Sequence, residues 1–181
     1  SDAMVRAILD GTKTQTRRVV KLPTGFERID RVYPIGGGWR IDESNPYAIA
    51  RQVTCPYGVG DRLWVKEAII RDLYVDTSHF RADSAPTKAD AWPWKRRMLP
   101  GMFMPKGLRR ITIELTDVRA ERLQDITDED ARAEGCDAGE NMREGSCRDL
   151  FSVLWDSINH KRAPWESNPW VWALTFKRVK P

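Results

Sequence analysis

Apolar and polar residues alternate over three segments of the chain, with the period of a half-buried β-strand. In the clearest segment, 108–118, Ile111, Ile113 and Leu115 share one face, and threonine and glutamate side chains share the other. The other two segments are residues 62–67 and 170–179. No βαβ rhythm separates these segments, which argues against a doubly wound parallel sheet. The alternation therefore favours an α+β protein built on a small mixed β-barrel of about five to seven strands.

Helical spacing of apolar residues occurs in three places. The first helix is predicted near the N-terminus, where Gly11 stands at the position of a left-handed C-cap. A second helix is predicted from Thr127, as its N-cap, to Gly135. The third is predicted over residues 148–159, with an apolar face of Leu150, Phe151, Leu154, Trp155 and Ile158. We expect the first helix to pack against the barrel.

Two stretches lack regular patterning and contain several glycine and proline residues. They span about 22–57 and 68–107, and we interpret them as loop-rich insertions with short hairpins. The sequence contains no internal repeat. We therefore expect one domain over 1–181, in which residues 1–3, before Met4, resemble a remnant of cloning.

The composition excludes several classes of protein. Thirty lysine and arginine residues against 26 aspartate and glutamate residues give a net charge of +4, which permits nucleic-acid binding without requiring it. The three cysteines and two histidines are not spaced as a zinc site or a disulfide framework, so no metal and no cofactor are expected. No stretch approaches the ~18 apolar residues of a membrane span, and the N-terminus does not resemble a signal peptide. These features predict a soluble, cytoplasmic protein that does not bind membranes.

A basic turn at residues 11–18 follows the first predicted helix and leads into a strand. It holds Lys13, Arg17 and Arg18 together with threonine hydroxyls and almost no apolar residue. One interpretation is an ordinary exposed turn whose cations complement the dipole at the helix C-terminus. The other is a site for an anion or a nucleic acid, in which a lysine lies beside the hydroxyls of Thr14 and Thr16.

Tryptophan is unusually abundant, with eight residues in the chain. Five of them fall in two short proline-rich windows: Trp92, Trp94, Trp165, Trp170 and Trp172. Aromatic residues interleaved with basic ones form stacking platforms for unpaired bases in some RNA-binding proteins. The alternative is that these tryptophans belong to the core or to a lid over a cleft.

The order of these motifs resembles the ASCH domain family. The matching pieces are a basic Gly-x-Lys-x-x-x-x-Arg turn, a Gly-Asp-x-Leu-x-Val strand, a long alternating strand, a helical segment and a closing aromatic strand. They lie at residues 11–18, 60–65, 111–118, 123–135 and 170–179. The resemblance implies a fold similar to the RNA-binding PUA domain, and the long form is similar to members found in phages and prophages.

The resemblance also implies a set of site residues. By similarity to the bacterial N4-acetylcytidine amidohydrolase of this family, the catalytic residues would be Lys13, Thr16 and Glu134. A threonine hydroxyl needs a base to become a nucleophile, and a glutamate can hold a lysine that serves as that base. The alternative for Glu134 is a solvated residue in the last turn of a helix. The expected substrate-binding residues are Gly11, Arg17, Arg18, Trp64 and Lys106.

Three functions remain open at this point. The first is an amidohydrolase acting on a modified, N4-acylated cytidine, with RNA or a modified nucleoside as the partner. The second is a non-catalytic RNA-binding module, in which the basic turn contacts phosphates. The third is a single-strand ribonuclease, although the motif lacks the usual histidine pair.

Two structural expectations follow from these functions. We expect the basic stretch 106–110 to form one positive surface with the basic turn. We also expect the insertions around Trp39 and at 92–103 to cover the cleft and to alter the choice of substrate.

Overall fold

The computed structural model describes most of the chain, including every predicted site residue. The described ranges are 1–21, 29–35, 38–42, 55–74, 77–88, 92–136 and 146–180, together with the backbone of 51–53. Parts of both predicted insertions lie outside these ranges.

Short helices and strands make up the described part of the chain. The helices are α1 (Asp2–Asp10), α2 (Asp128–Ala133) and α3 (Cys147–Asn159). The strands are β1 (Gln15–Val19), β2 (Arg31–Ile35), β3 (Gly38–Asp42), β4 (Arg51–Val53), β5 (Arg62–Trp64), β6 (Ile69–Arg71), β7 (Ser78–Phe80), β8 (Met98–Leu99), β9 (Thr112–Arg122) and β10 (Trp170–Val179). Short 3-10 turns occur at Gly101–Phe103, Lys106–Leu108, Leu123–Asp125 and Trp165–Ser167.

A four-stranded antiparallel sheet forms the centre of the molecule, in the order β1-β10-β9-β5. It curls into half a barrel, which confirms the α+β class. The described sheet has fewer strands than the predicted barrel, and its order leaves β1 and β5 as two edges. The pairing of β10 with β9 shifts register between Thr175 and Phe176, and such a bulge bends a strand.

The two predicted insertions contain sheets of their own rather than only loops and hairpins. Strands β2, β3 and β4 form one antiparallel three-stranded sheet, and β7, β6 and β8 form another. Several of these strands have only two or three residues. Segments this short do not show a recognisable alternation, which explains why the sequence indicated loops there.

The two faces of the central sheet carry separate cores, because successive residues of β10 point to opposite faces. Trp172 and Leu174 belong to the first core, which α1 covers with Val5 and Ile8. Val171 belongs to the second core, which packs against α2 and α3. The first helix therefore packs on the sheet as predicted. The predicted apolar face of α3 is correct for Phe151 and Trp155, but Ile158 is 70% exposed.

A third, smaller core lies between the β6-β7-β8 sheet and the segment that follows it. It is formed by Ile69, Phe80, Leu99 and Met104. The guanidinium of Arg110 lies 3.9 Å from the centre of the Phe80 ring and donates hydrogen bonds to the buried carboxylate of Glu67. Asp83 accepts from the same guanidinium, which holds the pKa of Asp83 below its usual value.

Within the described ranges, none of the helices has the length and apolar character needed to cross a membrane.

Candidate functional site

The basic turn is held between the C-terminal ends of α1 and α2. Gly11 ends α1 in the left-handed conformation, with φ of 79°, as the sequence predicted. The chain then follows α1 backwards, because the Lys13 amide donates to the carbonyl of Ala7 at 3.0 Å. The amide of Thr14 donates to the carbonyl of Ala133 in α2 at 2.7 Å. These backbone bonds fix the position from which the Lys13 side chain extends.

Lys13 and Glu134 form a buried ion pair, although they are 121 positions apart in the chain. The Lys13 Nζ donates to Glu134 Oε2 and to the backbone carbonyl of Glu134, both at 2.6 Å. Their side chains are only 9% and 6% exposed. Glu134 is therefore not a solvated residue of the last helical turn, and the two residues predicted to act together are in direct contact.

Gly135 allows this approach of α2 to the basic turn. Its φ of 89° lies in the left-handed region, which disfavours any residue with a Cβ. A Cβ at this position would lie 3.3 Å from the Cβ of Lys13 and from the Cβ of Ala7. Gly135 thus allows α2 to end in the left-handed conformation and allows the Lys13 side chain to pack closely against the end of α2.

Arg17 lies at the centre of a cluster of carboxylates on the opposite face of β1 from Thr16. Its side chain is completely buried, and its Nη1 lies 3.3 Å from Glu134 Oε1. Its Nε donates to Glu121 at 2.9 Å, and its Nη2 lies 3.3 Å from Asp130. The guanidinium also lies 5.8 Å from the centre of the Phe151 ring in the second core.

Asp130 completes the cluster from the first turn of α2. Burial opposes the ionisation of its carboxyl, but a hydrogen bond from Gln15 and the charges of Arg17 and Arg119 outweigh burial and lower its pKa. The Gln15 amide donates to Asp130 at 2.8 Å. The cluster therefore connects β1, β9 and α2 through charged hydrogen bonds.

A cleft of about 940 Å³ opens between β1 and β5, the two edges of the central sheet. It includes these predicted site residues in its lining: Lys13, Thr16, Arg17, Arg18, Trp64, Lys106 and Glu134. Gly11 is not part of the lining. Thr16 is partly buried, and its hydroxyl makes no hydrogen bond to any residue that the structure describes. The hydroxyl is thus free to meet a ligand in the cleft.

Three cations on the rim of the cleft have no carboxylate partner among the described residues: Arg18, Lys66 and Lys106. Lys66 lies 5.4 Å from the centre of the Trp64 ring and donates to the carbonyl of Met102. The basic stretch 106–110 adds to this positive surface only in part. Arg110 does not contribute, because Glu67 and Asp83 neutralise it.

Most of the remaining lining is apolar, and the sequence did not indicate it as part of a site. It comes from α1, from the inner face of the sheet and from α3; examples are Met4, Val5, Leu63, Ile113, Leu154 and Ile158. Ile158 is 70% exposed although it belongs to the apolar face of α3, and it lines this part of the cleft. Helical periodicity alone assigns Ile158 to the core.

The insertions contribute little to the cleft within the described residues. Tyr57 and Lys106 line it, whereas Trp39 packs edge-on against Trp172 in the first core at 5.1 Å between ring centres. Trp92 packs against Trp94 at 4.7 Å. The expectation that Trp39 and the segment 92–103 cover the cleft is therefore wrong for their described residues.

Metal ligands and thiols were the remaining candidates for chemistry near the cluster. The described residues include no group of three or more histidine, cysteine, aspartate or glutamate side chains placed to hold a metal ion. Cys136 follows Gly135 and is buried in the second core. Burial, with the nearby charge of Glu134, raises the pKa of this thiol to about 11, so it is a neutral thiol at physiological pH.

Comparison of the chain with known protein families, with curated proteins and with solved structures found no match.

Proposed function

We propose that this chain is an ASCH-type protein of PUA-like fold that binds RNA or a modified nucleoside in the cleft and hydrolyses an acyl amide on cytidine N4. The observation that carries the proposal is the Lys13–Glu134 pair at 2.6 Å, because it lines the same cleft as the Thr16 hydroxyl, which has no partner among the described residues. The half-barrel sheet and the order of the motifs support the assignment to the family. The rim cations supply attraction for a phosphate-bearing ligand.

The proposed reaction uses each of the three residues once. Thr16 attacks the acyl carbonyl carbon, and its hydroxyl proton passes to the Lys13 amine, which accepts it after Glu134 has taken a proton from the ammonium. The bond between the carbonyl carbon and N4 then breaks, and a proton returns to the leaving nitrogen. Cytidine leaves with this bond cleavage. Water then hydrolyses the threonyl ester, which releases a carboxylic acid and restores the Thr16 hydroxyl. Glu134 is suited to the proton relay because Lys13 already donates to it.

The cation set also supports a second candidate, a non-catalytic RNA-binding module. The ammonium of Lys13 already has two acceptors on Glu134, so in this candidate the pair joins the basic turn to α2 and contacts no phosphate. Arg18, Lys66 and Lys106 would then contact phosphates, and Trp64 would stack on a base. The hydrolase needs the Thr16 hydroxyl as its nucleophile, whereas the binding module does not need it. This difference can be tested.

The test is mass spectrometry of N4-acetylcytidine, free and within a short single-stranded RNA, after incubation with the protein. We expect loss of the acetyl group with the parent chain and at least a hundredfold slower loss with Thr16→Val. Thr14→Val is the matched control, because Thr14 is exposed, lies two residues away and does not line the cleft. It should retain the parent rate.

A second pair of variants tests the lysine. Lys13→Arg retains the charge but removes the base, so it should abolish turnover while leaving RNA affinity within about threefold. Lys21→Arg is the control, since Lys21 is exposed and does not line the cleft. If the parent turns over neither substrate but binds the RNA, the hydrolase is wrong and the binding module stands. If it neither binds nor reacts, both candidates are wrong.

A further inference from the structure

We propose that Arg17 is a positioning residue that holds the Glu134 carboxylate against Lys13, in place of the substrate contact that the sequence indicated. The kinetic part of this inference rests on the proposed function, because it requires the Lys13–Glu134 pair to take part in hydrolysis. The structural part does not.

The two oxygens of Glu134 are divided between two cations. Oε2 accepts from Lys13 at 2.6 Å, and Oε1 accepts from Arg17 Nη1 at 3.3 Å. A carboxylate held at both oxygens cannot rotate about its terminal bond without losing one partner. Arg17 thereby fixes which oxygen faces Lys13.

Arg17 is in turn held from two other elements. Glu121 on β9 lies 2.7 Å from Arg17 Nη2 and accepts from Nε, and Asp130 in α2 lies 3.3 Å from Nη2. The side-chain amide oxygen of Gln15 accepts from Nη1 at 3.2 Å. Nη2 makes no hydrogen bond to a described residue, so its contacts with Glu121 and Asp130 are ion pairs, whereas Nε and Nη1 donate in fixed directions. These directed bonds set the place of the planar guanidinium relative to the sheet before any ligand enters.

Burial argues against a direct contact between Arg17 and a substrate. The Arg17 side chain has no exposed surface, whereas its neighbour Arg18 is exposed on the other face of β1. A phosphate could reach the Arg17 guanidinium only by displacing one of its carboxylates. Arg18 is thus the residue of this pair that is available to a ligand.

Loss of the Arg17 charge would remove the cation that contacts all three carboxylates of the cluster. Among the described residues, Glu134 would then keep Lys13, and Glu121 and Asp130 would keep Arg119, at 3.5 and 3.7 Å. Glu121, Asp130 and Glu134 would then repel one another in a poorly hydrated site. We expect Glu134 to move relative to Lys13 as a result. The Lys13 ammonium would lose a hydrogen bond and become accessible to water.

The test uses the lysine ammonium signals in proton–nitrogen NMR spectra of the full chain, with the Lys13 signal assigned by its absence in Lys13→Arg. In the parent, this signal should be protected from exchange with water, because Nζ is buried and has two acceptors. Arg17→Gln should accelerate the exchange at least tenfold or abolish the signal. Arg31→Gln is the matched control, as Arg31 is 76% exposed on β2 and should leave the signal unchanged. An unchanged Lys13 signal in folded Arg17→Gln would overturn the proposal.

If Arg17→Gln does not fold, Glu121→Gln gives the same measurement. It removes one of the groups that hold Arg17 and leaves the contact of Arg17 with Glu134 in place. Faster exchange at Lys13 in this variant supports the proposal, and unchanged exchange contradicts it.

Kinetics separate a positioning role from a substrate contact. Arg17→Gln should lower kcat by roughly ten- to a hundredfold with KM within about twofold, and Arg17→Lys should restore part of kcat. A rise in KM with unchanged kcat would instead show a substrate contact and refute the positioning role. If the parent chain has no activity, the proposed function fails while the NMR measurement still decides the place of Arg17.

Discussion

Gly11 and Gly135 have similar positive φ angles, 79° and 89°, but different surroundings, which makes them a matched pair. Both have positive φ, yet a Cβ on Gly11 would meet nothing within 4 Å. We predict that Gly11→Ala lowers the free energy of unfolding by about 1 kcal/mol, through backbone strain alone. Gly135→Ala should lower it by about 2–3 kcal/mol, because the added methyl group also presses on Lys13 and Ala7. Urea unfolding measures both values, and equal losses would contradict the close packing at Gly135.

Asp130 should make the stability of the folded chain depend on pH in the acidic range. Its pKa in the folded protein lies below the ordinary value of 3.8, so its ionised form stabilises the fold above that value. This contribution is lost as the pH falls through the folded pKa. We predict that Asp130→Asn lowers Tm at pH 7 and that its difference from the parent shrinks below pH about 4. Glu129→Gln, an exposed change on the same helix, is the control and should show a smaller pH-dependent difference in thermal unfolding scans.

At the scale of elements, the junction at Arg110 joins the β6-β7-β8 sheet to the end of β5. Glu67 is 2% exposed and accepts from Arg110, whereas Asp83 has a more exposed side chain. We predict that Glu67→Gln lowers the free energy of unfolding by about 2–3 kcal/mol, because it weakens a buried charged hydrogen bond. Asp83→Asn should lower it by about 1 kcal/mol or less. Chemical denaturation measures both, and a loss at Asp83 as large as that at Glu67 would argue against this ranking.

The elements that could be predicted from the sequence are those with a complete local signal. Strand β10 has the predicted bounds, and α1 ends at the predicted glycine. The β6-β7-β8 sheet was missed because its strands have only two or three residues and show no period. Strands β2 and β3 have five residues each, but they lie in a stretch whose glycines and prolines indicated loops and short hairpins. The Arg17 cluster was missed for another reason: its partners Glu121 and Glu134 lie 104 and 117 positions away, and only the fold brings them together. The pairing of Lys13 with Glu134 came from resemblance to a family rather than from any pattern in the residues.

At the scale of the whole molecule, the rim of the cleft should make RNA binding depend on salt. Each cation that neutralises a phosphate releases a counterion, so the logarithm of affinity should fall by roughly 0.7 per contact for each tenfold rise in salt. We predict that Lys106→Gln weakens binding of single-stranded RNA and reduces that slope by one contact. Lys88→Gln, at an exposed lysine outside the cleft lining, is the control and should change neither quantity. Affinity that does not respond to salt would leave a free nucleoside as the ligand.

The separation of β1 from β5 also determines how the cleft can change its width. In the described sheet order, the two edge strands that line the cleft, β1 and β5, belong to one continuous ladder that runs from β1 through β10 and β9 to β5. The distance between β1 and β5 is therefore set by the bend of β9 and β10. Widening the cleft bends the sheet near the bulge at Thr175 and Phe176. It breaks no hydrogen bond between β1 and β5, because these two described strands are not paired. We therefore expect the cleft to admit ligands of different width through bending of the sheet and without loss of strand pairing.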